Sequence, residues 1–166
     1  FIGVDIFFVI SGYLITSLIF LEISKGNFNI FNFYERRARR LLPALFLMIM
    51  VSIPFAWAWL TPSAFKNYGQ SIIASSIFSS NILFWLESGY FSAASEYKPL
   101  IHTWSLAIEE QYYLLFPLFA YIVYKYFKKY FTFFIGFVTV GSLYLNTLTQ
   151  SLEKFYRLEF RIWELL

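Results

Sequence analysis

The chain has 166 residues, of which 59% are hydrophobic, 24% aromatic and 14% charged, and its formal net charge is +3. Its mean hydropathy of +0.60 is too high for a water-soluble domain and predicts an integral membrane protein. The basic residues cluster at helix ends, which indicates membrane topology and no nucleic-acid partner. With no cysteine and one histidine, the sequence predicts no disulfide, no thiolate chemistry and no metal site.

The first predicted element is a membrane-spanning helix over residues 1–23. At about 1.5 Å per residue it is long enough to cross about 30 Å of hydrocarbon. Asp5, Gly12 and Thr16 share one helical face, and such a small and polar face favours contact with another helix. We expect Asp5 to be a structural carboxylate that faces the helix bundle.

A polar, asparagine-rich segment over residues 24–35 is predicted to be a loop. Asn32 and Glu35 have the spacing of a capping box, which predicts that a helix begins there. Glu35 is also placed to pair with Arg39 one helical turn later.

Four arginines within residues 36–40 lead into the next predicted span, over 41–60, with Pro43 in its first turn. Arginines at the end of an apolar helix mark its cytoplasmic side. The simplest reading of these arginines is therefore a membrane anchor whose side chains reach the lipid headgroups.

Segment 66–86 is ambiguous because several serines, Gln70 and Asn81 interrupt its apolar residues. It either spans the membrane or lies buried against the bundle. A loop is predicted over 87–101, where glycine, serine and proline recur. A helix that carries Glu109 then runs to about residue 124.

Three lysines, at positions 125, 128 and 129, follow that helix, and another span is predicted over 131–149. A short loop then leads to a last helix that begins near Arg161. If both basic clusters are cytoplasmic, only two spans fit between them, whereas three candidates occupy the interval. Either segment 66–86 does not cross, or the lysine cluster lies on the far side.

A polar stripe is predicted along one face of the helix after residue 101. At helical spacing it contains His102, Ser105, Glu109 and the pair Tyr112 and Tyr113. Glu110 points about 100° away and is expected at the interface. Because an ionised carboxylate facing lipid costs about 2.5–3.5 kcal/mol at mid-membrane, Glu109 should face the protein interior or a wet cavity.

Three ordered stretches, residues 1–16, 33–43 and 102–117, resemble successive signatures of the membrane-bound acyltransferase 3 family. Residues 161–166 resemble the start of a later helix in its O-antigen O-acetylase branch. The family's Arg-x-x-Arg matches Arg37 and Arg40. Its pattern Ser-Leu-x-x-Glu-x-x-Phe-Tyr-Leu is matched by the following residues, with Tyr112 in place of phenylalanine: Ser105, Leu106, Glu109, Tyr113 and Leu114.

The resemblance implies a roughly ten-helix, multi-pass enzyme of the bacterial cytoplasmic (inner) membrane. Such an enzyme transfers an acyl group, usually acetyl from acetyl-CoA, to a hydroxyl of an envelope polysaccharide or glycolipid such as lipopolysaccharide. The chain would be an all-α transmembrane bundle of about five spans, a partial acyltransferase domain over 1–166. We expect truncation at both ends, because the family's first helix, with a basic residue and a catalytic histidine eleven positions later, would precede Phe1. The chain alone would then be inactive.

The resemblance also implies roles for individual residues. Arg37 and Arg40 would clamp the phosphates of acyl-CoA, as an alternative to anchoring. Glu109 would orient the missing histidine or hydrogen-bond the acceptor hydroxyl, as an alternative to packing against an arginine of another helix. His102 is a second candidate for catalysis, although a lone histidine at a helix start is more often a cap. Ser105 and Tyr113 are expected to be structural polar residues.

Two further expectations concern the rest of the chain. Arg161 and Glu164 are predicted to form a local ion pair. A transporter or channel that uses Glu109 and Asp5 for passage is the alternative function. Such a protein would show broken helices repeated in two halves, and the sequence shows no such repeat.

Overall fold

The structure is a computed structural model that describes residues 2–88, 98–148 and 156–166. Its helices are α1 (Ile2–Ser24), α2 (Ile30–Trp59), α3 (Pro62–Ser76), α4 (Ser80–Leu86), α5 (Thr103–Phe127), α6 (Phe131–Leu148) and α7 (Ile162–Leu165). Short 3₁₀ turns cover Lys128–Tyr130 and Leu158–Phe160. The described residues form no strand, so the prediction of an all-α fold is confirmed.

Four of the described helices, α1, α2, α5 and α6, are long and apolar enough to cross a membrane. Large hydrophobic side chains are exposed along all four of them, as expected of surfaces that face lipid. The prediction of a polytopic transmembrane bundle is confirmed. The observed bounds of α1 and α6 agree closely with the predicted spans over 1–23 and 131–149.

Helix α2 begins earlier than predicted. Its N-cap is Asn29, whose side chain accepts hydrogen bonds from the backbone N–H groups of Phe31 and Asn32. The predicted capping box at Asn32 is therefore wrong, because α2 begins at Ile30 and Asn32 already lies in its first turn. Pro43 consequently lies inside α2 and not in its first turn. The expected ion pair between Glu35 and Arg39 is confirmed at 2.8 Å.

Segment 66–86 is neither one helix nor a span. It breaks between α3 and α4, where Phe78 has a positive φ of 53°, an uncommon conformation for a bulky residue. The side-chain amide of Gln111 donates to the carbonyl oxygen of Phe78 at 2.9 Å and supports the break. Ser75 and Ser80 bond to Thr103 at the start of α5, at 2.9 Å each. The segment therefore packs against the bundle.

The two basic clusters lie at the same end of the bundle. Phe28, in the connection between α1 and α2, stacks on Tyr121 of α5 with 6.0 Å between ring centroids. Lys125 is in the last turn of α5, and Arg36 pairs with Glu22 at the end of α1 at 2.7 Å. This arrangement selects the reading in which segment 66–86 does not cross. Residues 89–97 of the predicted loop over 87–101 lie outside the described residues, as do residues 149–155 at the end of the span predicted over 131–149 and in the short loop after it.

Helix α7 packs closely against α1. A Cβ atom built on Gly12 would fall on the backbone carbonyl of Leu165, so only glycine allows this approach. The guanidinium of Arg161 contacts Asp5 at 2.5 Å and Glu164 at 2.6 Å. The predicted pair of Arg161 with Glu164 is confirmed, and the structure adds Asp5 of α1 as a second partner.

Candidate active site

Glu109 lies at the contact between α1 and α5 and is only 6% exposed. Its carboxylate accepts hydrogen bonds from the hydroxyls of Ser11, on α1, and Tyr113, one turn later on α5. The two hydroxyls also contact each other. These three residues, called here the carboxylate cluster, place a charged group inside the protein, where the sequence analysis expected it.

Apolar packing surrounds the carboxylate cluster. Phe8 and Trp104 meet edge to face at 6.5 Å between ring centroids, and Ile15 and Ile108 are fully buried in the same core. One turn along α1, Thr16 and Tyr112 bring their hydroxyl oxygens within 3.3 Å. Because low-polarity surroundings strengthen electrostatic interactions, the carboxylate of Glu109 acts strongly on any group that reaches it.

Arg37 brings a positive charge next to the carboxylate cluster. Its guanidinium carbon lies 4.6 Å from the centroid of the Tyr113 ring and 5.9 Å from that of Phe33. Both distances are within the range of cation–π contacts. Among the described residues, the hydrogen bonds to Glu109 come from hydroxyls. Arg37, an arginine of a neighbouring helix, lies over the ring of Tyr113 and does not pair with Glu109.

A cavity of about 260 Å³ adjoins the cluster between α2, the break after α3, and α5. Its polar lining consists of Tyr34, Arg37, Glu110, Gln111 and Tyr113, and its apolar lining of Ala38, Leu41, Leu42, Ile77, Phe78 and Leu114. A cationic side chain, a carboxylate and an amide therefore converge on one largely apolar space. Such an arrangement is typical of small-molecule binding sites.

The interfacial position expected for Glu110 stays a prediction, and the structure shows what surrounds this residue. It lines the cavity, and among the described residues its Oε1 atom is buried without a hydrogen-bond partner. The helical angle between Glu110 and Glu109 agrees with the prediction. Helix α2 and the α3–α4 break cover the side of α5 that Glu110 faces.

The structure separates the two arginines of the predicted clamp. Arg37 is half-buried and lines the cavity, whereas Arg40 is exposed and does not. Arg36 and Arg39 pair with Glu22 and Glu35, which suits the anchoring role.

The predicted polar stripe is also divided. His102 is exposed, immediately before the first residue of α5, and its carbonyl oxygen accepts a hydrogen bond from the Ser105 hydroxyl at 3.1 Å. Glu109 follows about two helical turns later. Tyr113 thus joins Glu109 in the interior, while His102 and Ser105 bond to each other at the helix start.

Sequence reasoning did not identify Ser11, Glu110 or Gln111 as site residues. Ser11 precedes Gly12 in a largely apolar helix, and a small polar residue of this kind is a common contact between membrane helices. This pattern indicates which face of α1 contacts another helix. It does not identify Glu109 as the partner of Ser11, because the two residues are 98 positions apart in the chain.

Fold and site together define a polytopic membrane protein with a buried carboxylate next to a partly open cavity. The sequence model described as "Acyltransferase domain" matches residues 1–163. The chain therefore belongs to this acyltransferase family, which confirms the resemblance found in the sequence. Membership favours an enzyme over the transporter or channel alternative.

Several known proteins are similar to this chain. An uncharacterized protein of Haemophilus influenzae is 41% identical over 154 residues, which are 92% of this chain and 62% of that protein. The peptidoglycan O-acetyltransferase OatA of Listeria monocytogenes is 41% identical over 131 residues, 78% of this chain and 21% of that protein. The O-acetyltransferase OatA of Staphylococcus aureus is 41% identical over 119 residues, 71% of this chain and 20% of that protein. No solved structure matches the chain.

Proposed function

We propose that this chain is part of an integral membrane O-acyltransferase that moves an acyl group, acetyl by preference, from acyl-CoA to a hydroxyl of a cell-envelope glycan. The observation that carries the proposal is the buried Glu109 carboxylate, which two hydroxyls hold beside a cavity lined by Arg37. Family membership and the two relatives named O-acetyltransferase support it. The name of the Listeria relative makes peptidoglycan a candidate acceptor.

The proposed reaction needs a proton acceptor and a stabilising charge. The acceptor hydroxyl attacks the thioester carbonyl, a C–O bond forms, the C–S bond breaks, and CoA leaves as the thiol after taking up the proton released from the hydroxyl. A base takes the proton from the hydroxyl and passes it to the departing thiolate. Glu109 supplies a negative charge that orients this base and stabilises its protonated form, or that holds the attacking hydroxyl. His102 is exposed, about two helical turns from Glu109. Of these two candidate catalytic residues, we therefore assign the catalytic role to Glu109.

The donor is proposed to approach from the end of the bundle that carries the arginines. Arg37 and Arg40 offer planar guanidinium groups that suit phosphate oxygens. The concentration of positive charge at this end makes it the cytoplasmic side, where acetyl-CoA is available. A location in the bacterial cytoplasmic membrane is therefore part of the proposal.

The test compares Glu109→Gln with Glu35→Gln in the full-length protein reconstituted in lipid vesicles. Radiolabelled acetyl-CoA is the donor and a peptidoglycan oligosaccharide the acceptor. Glutamine keeps the shape of Glu109 but removes its charge, so turnover should fall about 100-fold or more, the scale of acid–base assistance.

The Glu35→Gln control should keep wild-type activity, because Glu35 is exposed and its known partner is Arg39. The amount of membrane-inserted protein is measured for every variant. Full activity of Glu109→Gln, or a loss explained by poor insertion, would make Glu109 a packing residue. A wild-type protein that transfers no acetyl group would contradict the proposed function itself.

A further inference from the structure

The unpaired oxygen of Glu110 is the strongest unexplained feature of the cavity. Buried polar atoms in proteins are hydrogen-bonded with few exceptions, so each exception calls for an explanation. Among the described residues, Oε1 of Glu110 is buried without such a partner, and the residue lines the cavity. A carboxylate oxygen is an acceptor, so the missing partner is an N–H or O–H donor.

Apart from Arg37, whose guanidinium lies over the rings of Tyr113 and Phe33, the donor groups that line the cavity already make hydrogen bonds. The amide of Gln111 donates to Phe78 and Asn81 at 2.9 Å each. The hydroxyl of Tyr34 donates to the carbonyl oxygen of Leu114 at 2.7 Å. Tyr113 donates to Glu109. Turning any of these three groups towards Glu110 would break an existing hydrogen bond, and turning Arg37 would give up its cation–π contact with Tyr113. These costs favour a donor from a bound molecule.

The size of the cavity limits what that molecule can insert. Its 260 Å³ exceed the space of one water and fall just below the range of about 300–1,000 Å³ typical of whole ligands. The cavity therefore suits a segment of a substrate. Its leucine, isoleucine and phenylalanine walls favour a slender segment with few polar groups.

We propose that Glu110 is a binding residue that accepts a hydrogen bond from an N–H or O–H group of a substrate segment inserted in this cavity. The proposal rests on the proposed function, which supplies two sources of such a group. One is a secondary amide in the flexible arm of the acyl-CoA thioester. The other is a hydroxyl of the acceptor sugar. Arg37, in the same cavity, disfavours a cationic ligand.

The experiment measures steady-state kinetics of the reconstituted full-length protein with Glu110→Leu and Glu110→Gln. Acetyl-CoA and a peptidoglycan oligosaccharide are varied separately, and Glu35→Gln is the control. Leucine removes the acceptor and should raise one KM about 10-fold or more, the scale of a hydrogen bond to a charged group. Glutamine retains a carbonyl oxygen and should give a smaller increase.

The affected substrate identifies the source of the hydrogen bond. A higher KM for acetyl-CoA assigns it to the amide, and a higher KM for the oligosaccharide assigns it to a hydroxyl. Unchanged KM values for both substrates, with or without a lower kcat, would overturn the proposal. If wild-type protein transfers acetyl groups and the Glu110 variants have the same KM values as wild type, the binding role of Glu110 is wrong but the proposed function stands.

Two additional measurements separate binding from a structural role. Removing an unpaired buried acceptor should leave the thermal stability of substrate-free Glu110→Leu unchanged or higher, whereas loss of a structural contact would lower it. Wild-type protein is also tested with two short acetyl thioesters as competitors of acetyl-CoA, identical except that an ester oxygen replaces the amide N–H. If the hydrogen bond comes from the amide of acyl-CoA, the compound with the amide should inhibit about 10-fold better than the ester. Equal inhibition by the two compounds would exclude the amide as the source of the hydrogen bond.

Discussion

The hydroxyl of Ser11 donates a hydrogen bond to the carboxylate of Glu109, across a separation of 98 residues in the chain. This bond joins the middle of α1 to α5. One residue later, Gly12 meets the backbone of Leu165 in α7. The position of the Glu109 carboxylate therefore depends on how closely α1 packs against two other helices.

Replacing Ser11 with alanine should reduce acyl transfer about 10-fold or more without reducing membrane insertion. The substitution removes one of the two hydroxyls that hold Glu109, and a hydrogen bond to a charged group is worth about 1.5–3 kcal/mol. Transfer is measured per inserted protein, across a range of pH.

Ser17→Ala is the matched control, since Ser17 is an exposed serine of the same helix. It should behave as wild type. A Ser11→Ala variant with an unchanged rate and pH profile would show that Tyr113 alone suffices to position Glu109.

Substitution of Arg37 or Arg40 tests the proposed donor site. Arg37→Ala and Arg40→Ala should each weaken acyl-CoA binding by about 1.5–3 kcal/mol, the range for charge-assisted hydrogen bonds. Lysine should restore binding only in part, because an ammonium group cannot form the planar fork. Binding is measured by titration of the full-length protein with a non-hydrolysable acyl-CoA.

The control is Arg39→Ala, because Arg39 is exposed and paired with Glu35. It should bind the donor normally. Unchanged donor affinity in the double alanine variant would return Arg37 and Arg40 to the anchoring role. A loss in Arg37→Ala alone would place the donor in the cavity and leave Arg40 outside the binding site.

Adding a methyl group at Gly12 should destabilise the bundle. The Cβ of Gly12→Ala would overlap the Leu165 carbonyl, and overpacking of this kind costs about 1–3 kcal/mol. Thermal unfolding in detergent measures the effect. Gly69→Ala is the control, since a Cβ there meets no atom within 4 Å and alanine is the better helix former by about 1 kcal/mol. Equal stability of the two variants would exclude a tight contact between α1 and α7.

Single cysteines test the topology without interference, because the sequence contains no other cysteine. Ser24→Cys and Lys129→Cys should react with an impermeant thiol reagent from the cytoplasmic side. Ser63→Cys, just after α2, should react only from the opposite side. Labelling of positions 24 and 129 from different sides would contradict the shared end of the two basic clusters.

The sequence alone determined the class of fold and the bounds of several helices. Charge and length are strong constraints in a bilayer, because a span needs about 20 apolar residues and a buried carboxylate needs protein partners. For this reason the first span, the span from residue 131 and the inward direction of Glu109 could be predicted. Ordered motifs supplied the family, since their spacing is a property of the chain itself.

Only the tertiary structure decided which residues meet. Asn29 and Asn32 are equally good caps by residue type, and helix geometry alone does not choose between them. Segment 66–86 has intermediate hydropathy, so its break depends on two hydrogen bonds with α5: Gln111 donates to Phe78, and the carbonyl oxygen of Thr103 accepts from Ser80.

The same limit applies to the candidate site. Helical periodicity gives the angle between Glu109 and Glu110, or between Arg37 and Arg40, but not what lies in each direction. Ser11 covers one side of α5, and the cavity next to α2 occupies the other. These neighbours come from distant parts of the chain, and their positions follow from the packing of whole helices, which no local pattern specifies.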